Sequence, residues 1–191
     1  EKKAAAMQAE QWRMEQAKNV LGSAGDRVVY QGRVYRRNTY VKAILCLGID
    51  RKGTLDESRV PGSGGQADGI FLVAQDTARD HVRVLMIPRD TMTEITLTDL
   101  SGNVLGQGIQ HLTLGYAYGD GREKSCRYMT EAVSNLLGGL SIDGYIAVSM
   151  EALPLMNDGV GGVTVVMDEN GLEKANPEFT PGKTITLDGK Q

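Results

Sequence analysis

The sequence lacks any run of about 18 apolar residues, the length that a membrane-spanning helix requires. Aromatic residues make up only 5% of the chain, with one tryptophan, which argues against a surface on which nucleic-acid bases stack. The net charge of −3 gives no general attraction to nucleic acid or to an anionic membrane. A signal peptide is missing too, and the chain opens at Glu1 instead of methionine, as expected of a processed or cut chain.

Cysteine is almost absent. Cys46 lies in an apolar segment and Cys126 in a polar one, and two such thiols do not decide the redox compartment. Free thiols are favoured over a disulfide. The 191 residues, 41% of them hydrophobic and 24% charged, are enough for one globular domain with a substantial core, with or without an appendage.

Strand-like and helical segments alternate along the chain, which predicts an α/β fold. We predict a central mixed β-sheet flanked by helices in an α/β/α sandwich-like arrangement, with a short N-terminal helix and a small hairpin. The strands of this sheet are predicted at 41–49, 69–75, 82–88, 143–150 and 162–167. A further strand is expected within 91–100 and a loop at 102–108. Helices are predicted at 2–21, 123–137 and 151–157, and the hairpin at 28–36 around a glycine.

Polar side chains stand at the ends of three consecutive predicted strands. Asp50 follows the first, Asp68 precedes the second, and Arg89 and Asp90 follow the third. If neighbouring strands run antiparallel, these ends meet at one edge of the sheet. Carboxylate oxygens suit a hard divalent cation, and a guanidinium suits phosphate oxygens. Polar capping of the strand ends is the simpler alternative, and the pattern alone favours it.

A glycine-rich loop at 61–65 resembles a phosphate cradle only superficially. It reads Pro-Gly-Ser-Gly-Gly and lacks the lysine and the spacing of a P-loop. A flexible loop is therefore the favoured interpretation.

Five motifs, taken together, resemble the LytR-CpsA-Psr family. They are Leu-Gly-Ile-Asp-Arg at 47–51, Ala-Asp-Gly-Ile at 67–70, Ile-Pro-Arg-Asp at 87–90, Tyr-Ala-Tyr-Gly at 116–119 and Gly-Gly-Val at 161–163. Each motif is weak alone, but they occur in the order found in that family's extracellular domain. The resemblance extends over most of the chain, from about residue 41 to residue 189.

The resemblance implies a phosphotransferase of Gram-positive-type cell-wall assembly at the outer face of the membrane. Such enzymes move a glycopolymer such as teichoic acid from a polyprenyl-pyrophosphate carrier to peptidoglycan. The lipid lies in an apolar tunnel, and Mg²⁺ (or Mn²⁺) and arginines hold the pyrophosphate at the tunnel mouth. Residues 1–25 are then a polar juxtamembrane stalk following a membrane anchor absent from this chain, and 26–191 a domain lacking its C-terminal part. Nucleic acid is not an expected partner.

Carried over to this sequence, the resemblance makes Asp50 and Asp68 the metal ligands. Arg89 becomes the pyrophosphate clamp, and it is catalytic together with Asp68 and Asp90, with Asp90 orienting its neighbours. Arg51 is a further phosphate contact.

The sequence departs from the family pattern at two places. Gln66 stands where the family commonly has arginine, so it is expected to donate to phosphate without supplying charge. His111, preceded by Gln110, stands where the family has lysine. The pair are secondary site residues, and a plain surface histidine is an equal alternative.

Two other functions stay open. An inactive or weak relative that only holds a lipid phosphate is favoured by Gln66. A transcriptional regulator has no support, because the sequence shows neither a basic helix nor a helix-turn-helix pattern. The abundance of methionine, eight residues against two phenylalanines, suits an adaptable lipid lining or simply a filled core.

Overall fold

The computed structural model describes residues 20–24, 27–168 and 170–190. The strands are β1 (Val20–Ala24), β2 (Arg27–Tyr30), β3 (Arg33–Arg36), β4 (Val41–Ile49), β5 (Ala67–Asp76), β6 (His81–Met86), β7 (Met92–Thr98), β8 (Val104–His111), β9 (Gly144–Ser149), β10 (Val163–Val166) and β11 (Thr184–Leu187). The helices are α1 (Leu114–Ala117), α2 (Glu123–Leu136) and α3 (Ala152–Gly159), with a short 3-10 turn at Leu172–Lys174.

The central sheet has four strands in the order β6-β5-β4-β9. β5 runs antiparallel to both β4 and β6, whereas β9 runs parallel to β4. The sheet is therefore mixed, and the α/β prediction is confirmed. The crossover from β4 to its parallel partner β9 includes α2, as parallel pairs require a long connection.

The core lies between one face of this sheet and α2. Alternate residues of β4, namely Ala43, Leu45, Leu47 and Ile49, are at most 1% exposed. They pack with the apolar side of α2, including Met129, in one hydrophobic cluster. We call this side the inner face of the sheet. The helix predicted at 123–137 is confirmed because its apolar residues recur at helical spacing and face this core.

The other side of the sheet, the open face, is also apolar but far less covered. It carries Ile44, Cys46, Gly48, Phe71, Val73, Val84, Met86, Ile146 and Val148, which the strand registers place side by side. Val84 and Met86 are 64% and 66% exposed. Among the described residues, α3 packs over only the β9 end of this face.

Two hairpins flank the central sheet. β2 and β3 form the predicted small hairpin, whose turn residues Gln31 and Gly32 both have positive φ (49° and 73°). Positive φ at both positions matches the twist of a two-residue hairpin, and glycine adopts it without strain. β7 and β8 form a second hairpin, and β7 packs on α2.

Three predictions about the elements were wrong. The strand predicted at 162–167 is β10, which pairs with β11 in a separate two-stranded sheet, because this short segment finds its hydrogen bonds with β11 and not with a strand of the central sheet. The loop predicted at 102–108 is mostly β8: pairing with β7 overrides its two glycines. Residues 20–21, the end of the predicted N-terminal helix, belong to β1, which pairs with β2.

The rest of that predicted helix, residues 2–19, lies outside the described residues. In the described part of the chain, no helix is long and apolar enough to cross a membrane.

Candidate functional site

The ends of β4, β5 and β6 that were expected to meet lie at one edge of the sheet. The last residue of β4, Ile49, is paired with the first of β5, Ala67. The backbone N–H of Ile87, just after β6, donates to the carbonyl of Ile70 at 2.9 Å. Antiparallel pairing on both sides of β5 thus brings Asp50, Asp68 and the turn after β6 to the same edge.

A β-bulge determines where Asp68 points. Gly69 pairs with Gly48, but Ala67 pairs with Ile49, so Asp68 is an extra residue in β5. Without the bulge, Asp68 would continue the buried alternation of Ile70 and fall on the inner face. With it, Ala67 fills that buried position and the Asp68 side chain, 39% exposed, is turned outward.

Asp50 is joined to the segment that leads into β5. Its backbone N–H donates to the carbonyl of Gln66 at 3.1 Å, and its Oδ1 accepts the Gln66 N–H at 2.5 Å. The first bond continues the β4–β5 hydrogen-bond ladder by one residue, and the second holds the Asp50 carboxylate in place. No described residue donates a hydrogen bond to its Oδ2 atom.

Arg89 and Asp90 are the central residues of a turn closed by the Thr91 N–H and the Pro88 carbonyl, 3.0 Å apart. The Arg89 guanidinium reaches back across the sheet edge. Its Nη1 donates to Oδ1 of Asp68, and its Nη2 lies 3.4 Å from Oε1 of Gln66. The planar fork of arginine therefore joins an anionic and a neutral acceptor.

Asp90 and His111 extend the cluster outward. Asp90 Oδ1 lies 3.8 Å from Nε of Arg89 and 3.6 Å from Nδ1 of His111. The Asp90 side chain is 73% exposed, so these ion pairs are weak. Gln110, on β8, pairs with Thr93 on β7, and no described hydrogen bond joins its side chain to the cluster.

Arg51 goes elsewhere. Its Nη1 is buried without a hydrogen-bond partner in the described part of the chain, close to Gly121, whose carbonyl accepts the Tyr116 hydroxyl at 2.8 Å. Burial raises the pKa of Tyr116, and the nearby Arg51 charge partly opposes that rise. The structure thus separates the Arg51 guanidinium from Arg89.

Thr113 is a neighbour that sequence reasoning missed. It is 2% exposed, and its Oγ1 lies 3.4 Å from Oδ1 of Asp68 and 3.5 Å from Oε1 of Gln66. The only available signal was its position three residues before the Tyr-Ala-Tyr-Gly motif at 116–119, and a lone threonine carries little information.

An apolar cavity of about 390 Å³ opens beside this cluster. Its walls are the C-terminal half of β4, the start of β5, the end of β9 and the inner side of α3. Asp50 and Asp68 lie on its polar rim, and Cys46, Gly48, Phe71, Ile146, Leu153 and Met156 are among its apolar lining residues. Gly48 and Gly69 are paired on β4 and β5, and because neither has a side chain they leave space at the base of the cavity. Two methionines, Met150 and Met156, line it, whereas Met129 fills the core.

The metal-binding capacity of the described residues is limited. They contain no group of three His, Cys, Asp or Glu side chains that could hold a metal ion. Asp50 and Asp68 do share the cavity rim, and Oδ2 of each accepts no hydrogen bond from a described residue. The protein itself could thus offer two carboxylate oxygens at this place.

The motif order has a counterpart in a known protein family. The family model described as the LytR_cpsA_psr family matches residues 1–191, the whole chain. The chain belongs to the LytR-CpsA-Psr family. The resemblance stated from the motifs is therefore confirmed.

The chain is also similar to curated proteins that are named teichoic acid transferases. The polyisoprenyl-teichoic acid–peptidoglycan teichoic acid transferase TagU of Oceanobacillus iheyensis is 30% identical over 171 residues, which cover 87% of this chain and 46% of that protein. The protein of the same name from Bacillus cereus is 32% identical over 126 residues, or 66% of this chain and 34% of that one. The chain thus spans less than half the length of these curated relatives.

Solved structures of the family share the fold. YwtF (TagT) with bound octaprenyl pyrophosphate lipid superposes with a TM-score of 0.58 at 20% identity, over 88% of this chain and 61% of that one. The protein gbs0355 of Streptococcus agalactiae gives a TM-score of 0.56 at 26% identity, over 80% of this chain and 50% of that one. The LytR-CpsA-Psr architecture is therefore present in the described residues.

Proposed function

We propose that this protein is a cell-wall glycopolymer phosphotransferase. It moves a polymer from a polyprenyl-pyrophosphate carrier to peptidoglycan and forms a phosphodiester. The observation that carries the proposal is the apolar cavity whose rim holds Asp50 and Asp68. An apolar hollow that ends at a charged cluster matches a ligand with an isoprenoid tail and a pyrophosphate head. The names of the relatives, teichoic acid transferases, support the same reaction.

The isoprenoid tail enters the cavity between α3 and the open face. Each buried methylene contributes about 0.8 kcal/mol, so the tail supplies affinity without directional contacts. Phe71, on the cavity wall, is 38% exposed and pairs with Met86, so the apolar surface continues from the cavity across the open face. A long tail can follow this surface after the cavity is filled.

The pyrophosphate head lies at the rim, against Arg89 and Gln66. Arg89 has five N–H donors, and those that do not contact Asp68 and Gln66 neutralise charge on phosphate oxygens. Gln66 already directs its Oε1 toward Arg89, which leaves the two N–H groups of its amide for a phosphate oxygen. This amide can donate to phosphate but, unlike the arginine expected at that position, it supplies no positive charge.

Asp50 and Asp68 would hold the metal ion, Mg²⁺ or Mn²⁺. Two carboxylates suit Mg²⁺, which typically takes one or two of them and completes its shell with water and substrate phosphates. The described residues offer no third protein ligand, which is consistent with this coordination preference of Mg²⁺. When bound, the ion supplies charge neutralisation on the pyrophosphate oxygens.

The transfer is a displacement at phosphorus. A hydroxyl of the peptidoglycan acceptor attacks the phosphorus that carries the polymer, a new P–O bond forms, and the pyrophosphate P–O bond breaks. Polyprenyl phosphate leaves with the electron pair, and Arg89 stabilises the charge that develops on it. The acceptor proton passes to Asp90, a carboxylate that is 73% exposed at the outer end of the cluster. The protein would act at the outer face of the membrane, attached through an anchor preceding this chain.

A second candidate function is lipid-phosphate binding without transfer. Gln66 favours it, because an amide stabilises developing negative charge less than a guanidinium does. The two candidates make different predictions, since a pure binder retains a polyprenyl pyrophosphate without consuming it.

The proposal is tested by transfer of polymer from a polyprenyl-pyrophosphate donor to peptidoglycan fragments with Mg²⁺ present. Asp68→Ala is expected to abolish metal-dependent transfer, whereas Asp56→Ala, an exposed carboxylate in the loop after β4, should leave it intact. Native turnover by Asp68→Ala would contradict the site assignment. Binding without turnover by the native protein would favour the second candidate.

The lipid cavity has a separate test. A Cβ on Gly48 would meet Gly69 Cα at 3.5 Å, an ordinary contact, so the backbone tolerates Gly48→Leu while its side chain fills the cavity. Affinity for geranylgeranyl pyrophosphate should fall at least tenfold with the melting temperature preserved. An unchanged affinity would show that the tail does not use this cavity.

A further inference from the structure

Thr113 connects three parts of the site through its backbone. Its N–H donates to the carbonyl of Arg89 at 3.1 Å, and its carbonyl accepts the N–H of Ala67, 3.4 Å away. One residue before it, the N–H of Leu112 donates to the carbonyl of Thr91 at 2.8 Å. The segment that leads into α1 is thereby joined to the turn after β6 and to the start of β5.

The Thr113 side chain faces the charged cluster. Two other buried hydroxyls of the described chain serve the backbone: Thr98 donates to the carbonyl of Tyr118, and Ser125 to that of Tyr116, both at 2.6 Å. The Thr113 hydroxyl instead lies within 3.5 Å of two side-chain oxygens, on Asp68 and Gln66. A buried hydroxyl needs a hydrogen-bond partner, and these are the two that the structure provides.

The same two oxygens also receive the fork of Arg89. Oδ1 of Asp68 and Oε1 of Gln66 are therefore approached from two sides, by a guanidinium and by a hydroxyl. Because both neighbours of Oε1 are donors, the amide must present its oxygen inward and its nitrogen outward. Among the described residues, nothing bonds to Oδ2 of Asp68 or Nε2 of Gln66, so one acceptor atom and one donor atom remain for a ligand.

We infer that Thr113 is a positioning residue that fixes the orientation of the Asp68 carboxylate and the Gln66 amide. It contacts neither the substrate nor the reacting atoms. Its hydroxyl holds the inner oxygen of one side chain or the other, so that the outer oxygen of Asp68 faces the position proposed for the metal ion and the amide nitrogen of Gln66 faces the pyrophosphate head. This inference rests on the proposed function, since it assigns the recipient of those two groups.

The hydroxyl has one hydrogen and two acceptors, and both distances are long for an O–H···O hydrogen bond. It therefore serves one acceptor at a time and reaches the other by rotation about a single bond. A methyl group of the same size cannot serve either, which makes Thr113→Val the decisive change. Thr113→Ser retains the hydroxyl and should rescue.

The test compares binding of geranylgeranyl pyrophosphate with that of geranylgeraniol, which shares the tail and lacks the phosphates, by calorimetry. Thr113→Val should weaken pyrophosphate binding roughly tenfold, the effect of one hydrogen bond to a charged group, and leave alcohol binding unchanged. Thr113→Ser should bind within about twofold of the native protein. Thr98→Val, which removes a buried hydroxyl outside the site, should match the native protein in both measurements.

Each alternative result has a distinct meaning. Equal affinity of the native protein for both ligands would refute the proposed function, and this inference with it. A native preference for the pyrophosphate that persists in Thr113→Val would overturn the inference alone. An equal loss for both ligands, or no rescue by serine, would assign Thr113 a purely structural role. If the valine variant does not fold, Thr113→Ala replaces it with the same expectations.

Discussion

Replacing Arg89 by alanine tests the charged end of the site most directly. In the structure its guanidinium contacts Asp68 and Gln66 at the rim of the apolar cavity. Alanine removes the positive charge and the remaining N–H donors that we assign to the pyrophosphate. It also leaves Asp68 as an uncompensated negative charge beside an anionic ligand. Both effects weaken binding of the head group and neither touches the tail.

The magnitude follows from the exposure of the pair. Losing one partner of a buried charged pair costs about 2–5 kcal/mol in binding. Here the Arg89 and Asp68 side chains are 43% and 39% exposed, so water screens the interaction and the effect falls at the lower end of that range. We expect about 2 kcal/mol, roughly a 30-fold weaker Kd for geranylgeranyl pyrophosphate.

Calorimetry on matched variants measures this effect. Arg89→Lys restores the charge without the planar fork and should recover only part of the affinity. Arg79→Ala removes an equally charged residue, paired with Asp76 at the opposite end of β5, and should have no effect. An unchanged affinity in Arg89→Ala would refute the reasoning, as would an equal loss for geranylgeraniol, because that ligand has no phosphate to lose.

Three further predictions concern other parts of the molecule. Cys46 lines the cavity and should be alkylated by a maleimide unless geranylgeranyl pyrophosphate is bound, whereas Cys126, whose pKa burial raises to about 12, should stay unmodified with or without ligand; equal labelling of Cys46 with ligand present would contradict the cavity assignment. The pKa of Asp143 lies below its usual 3.8, chiefly because it accepts the backbone N–H of Ala43 in β4. Asp143→Asn should therefore be less stable than the native protein above pH 3.8, and this difference should disappear as the pH falls through the folded-state pKa of Asp143. A difference in denaturant midpoint that persists in stronger acid would contradict this. Gly64→Ala should lower the melting temperature, because its Cβ would lie 2.7 Å from the backbone of Gly121, and an unchanged thermal midpoint would show that the loop moves aside.

Long apolar patterns predicted the elements of this fold well. β4 coincides with the predicted strand 41–49, since a continuous apolar run is buried or half-buried on both sides of a central strand. The helix predicted at 123–137 ends one residue earlier, at 136. Both segments carry enough apolar side chains to specify their own conformation.

Short segments were decided by their partners. β10 has four residues, and nothing in them distinguishes a fifth strand of the central sheet from one strand of a separate two-stranded sheet. The glycines at 106 and 108 indicated a loop, but β7 offers a full ladder of hydrogen bonds that outweighs their low strand propensity. Pairing energy lies in the partner strand and is not visible in the segment itself.

The site divides in the same way. The sequence determined that Asp50, Asp68 and Arg89 come at strand ends, because polar residues follow apolar runs and antiparallel strands turn back on themselves. Only the tertiary structure decided that Asp68 faces outward. By its two-residue alternation with Ile70 it belongs to the buried side, and the bulge opposite Ile49 reverses it. A bulge arises from the register between two strands, and one strand's sequence does not contain that register. Thr113, whose hydroxyl lies beside the inner oxygen of Asp68, was likewise identified only from the tertiary structure.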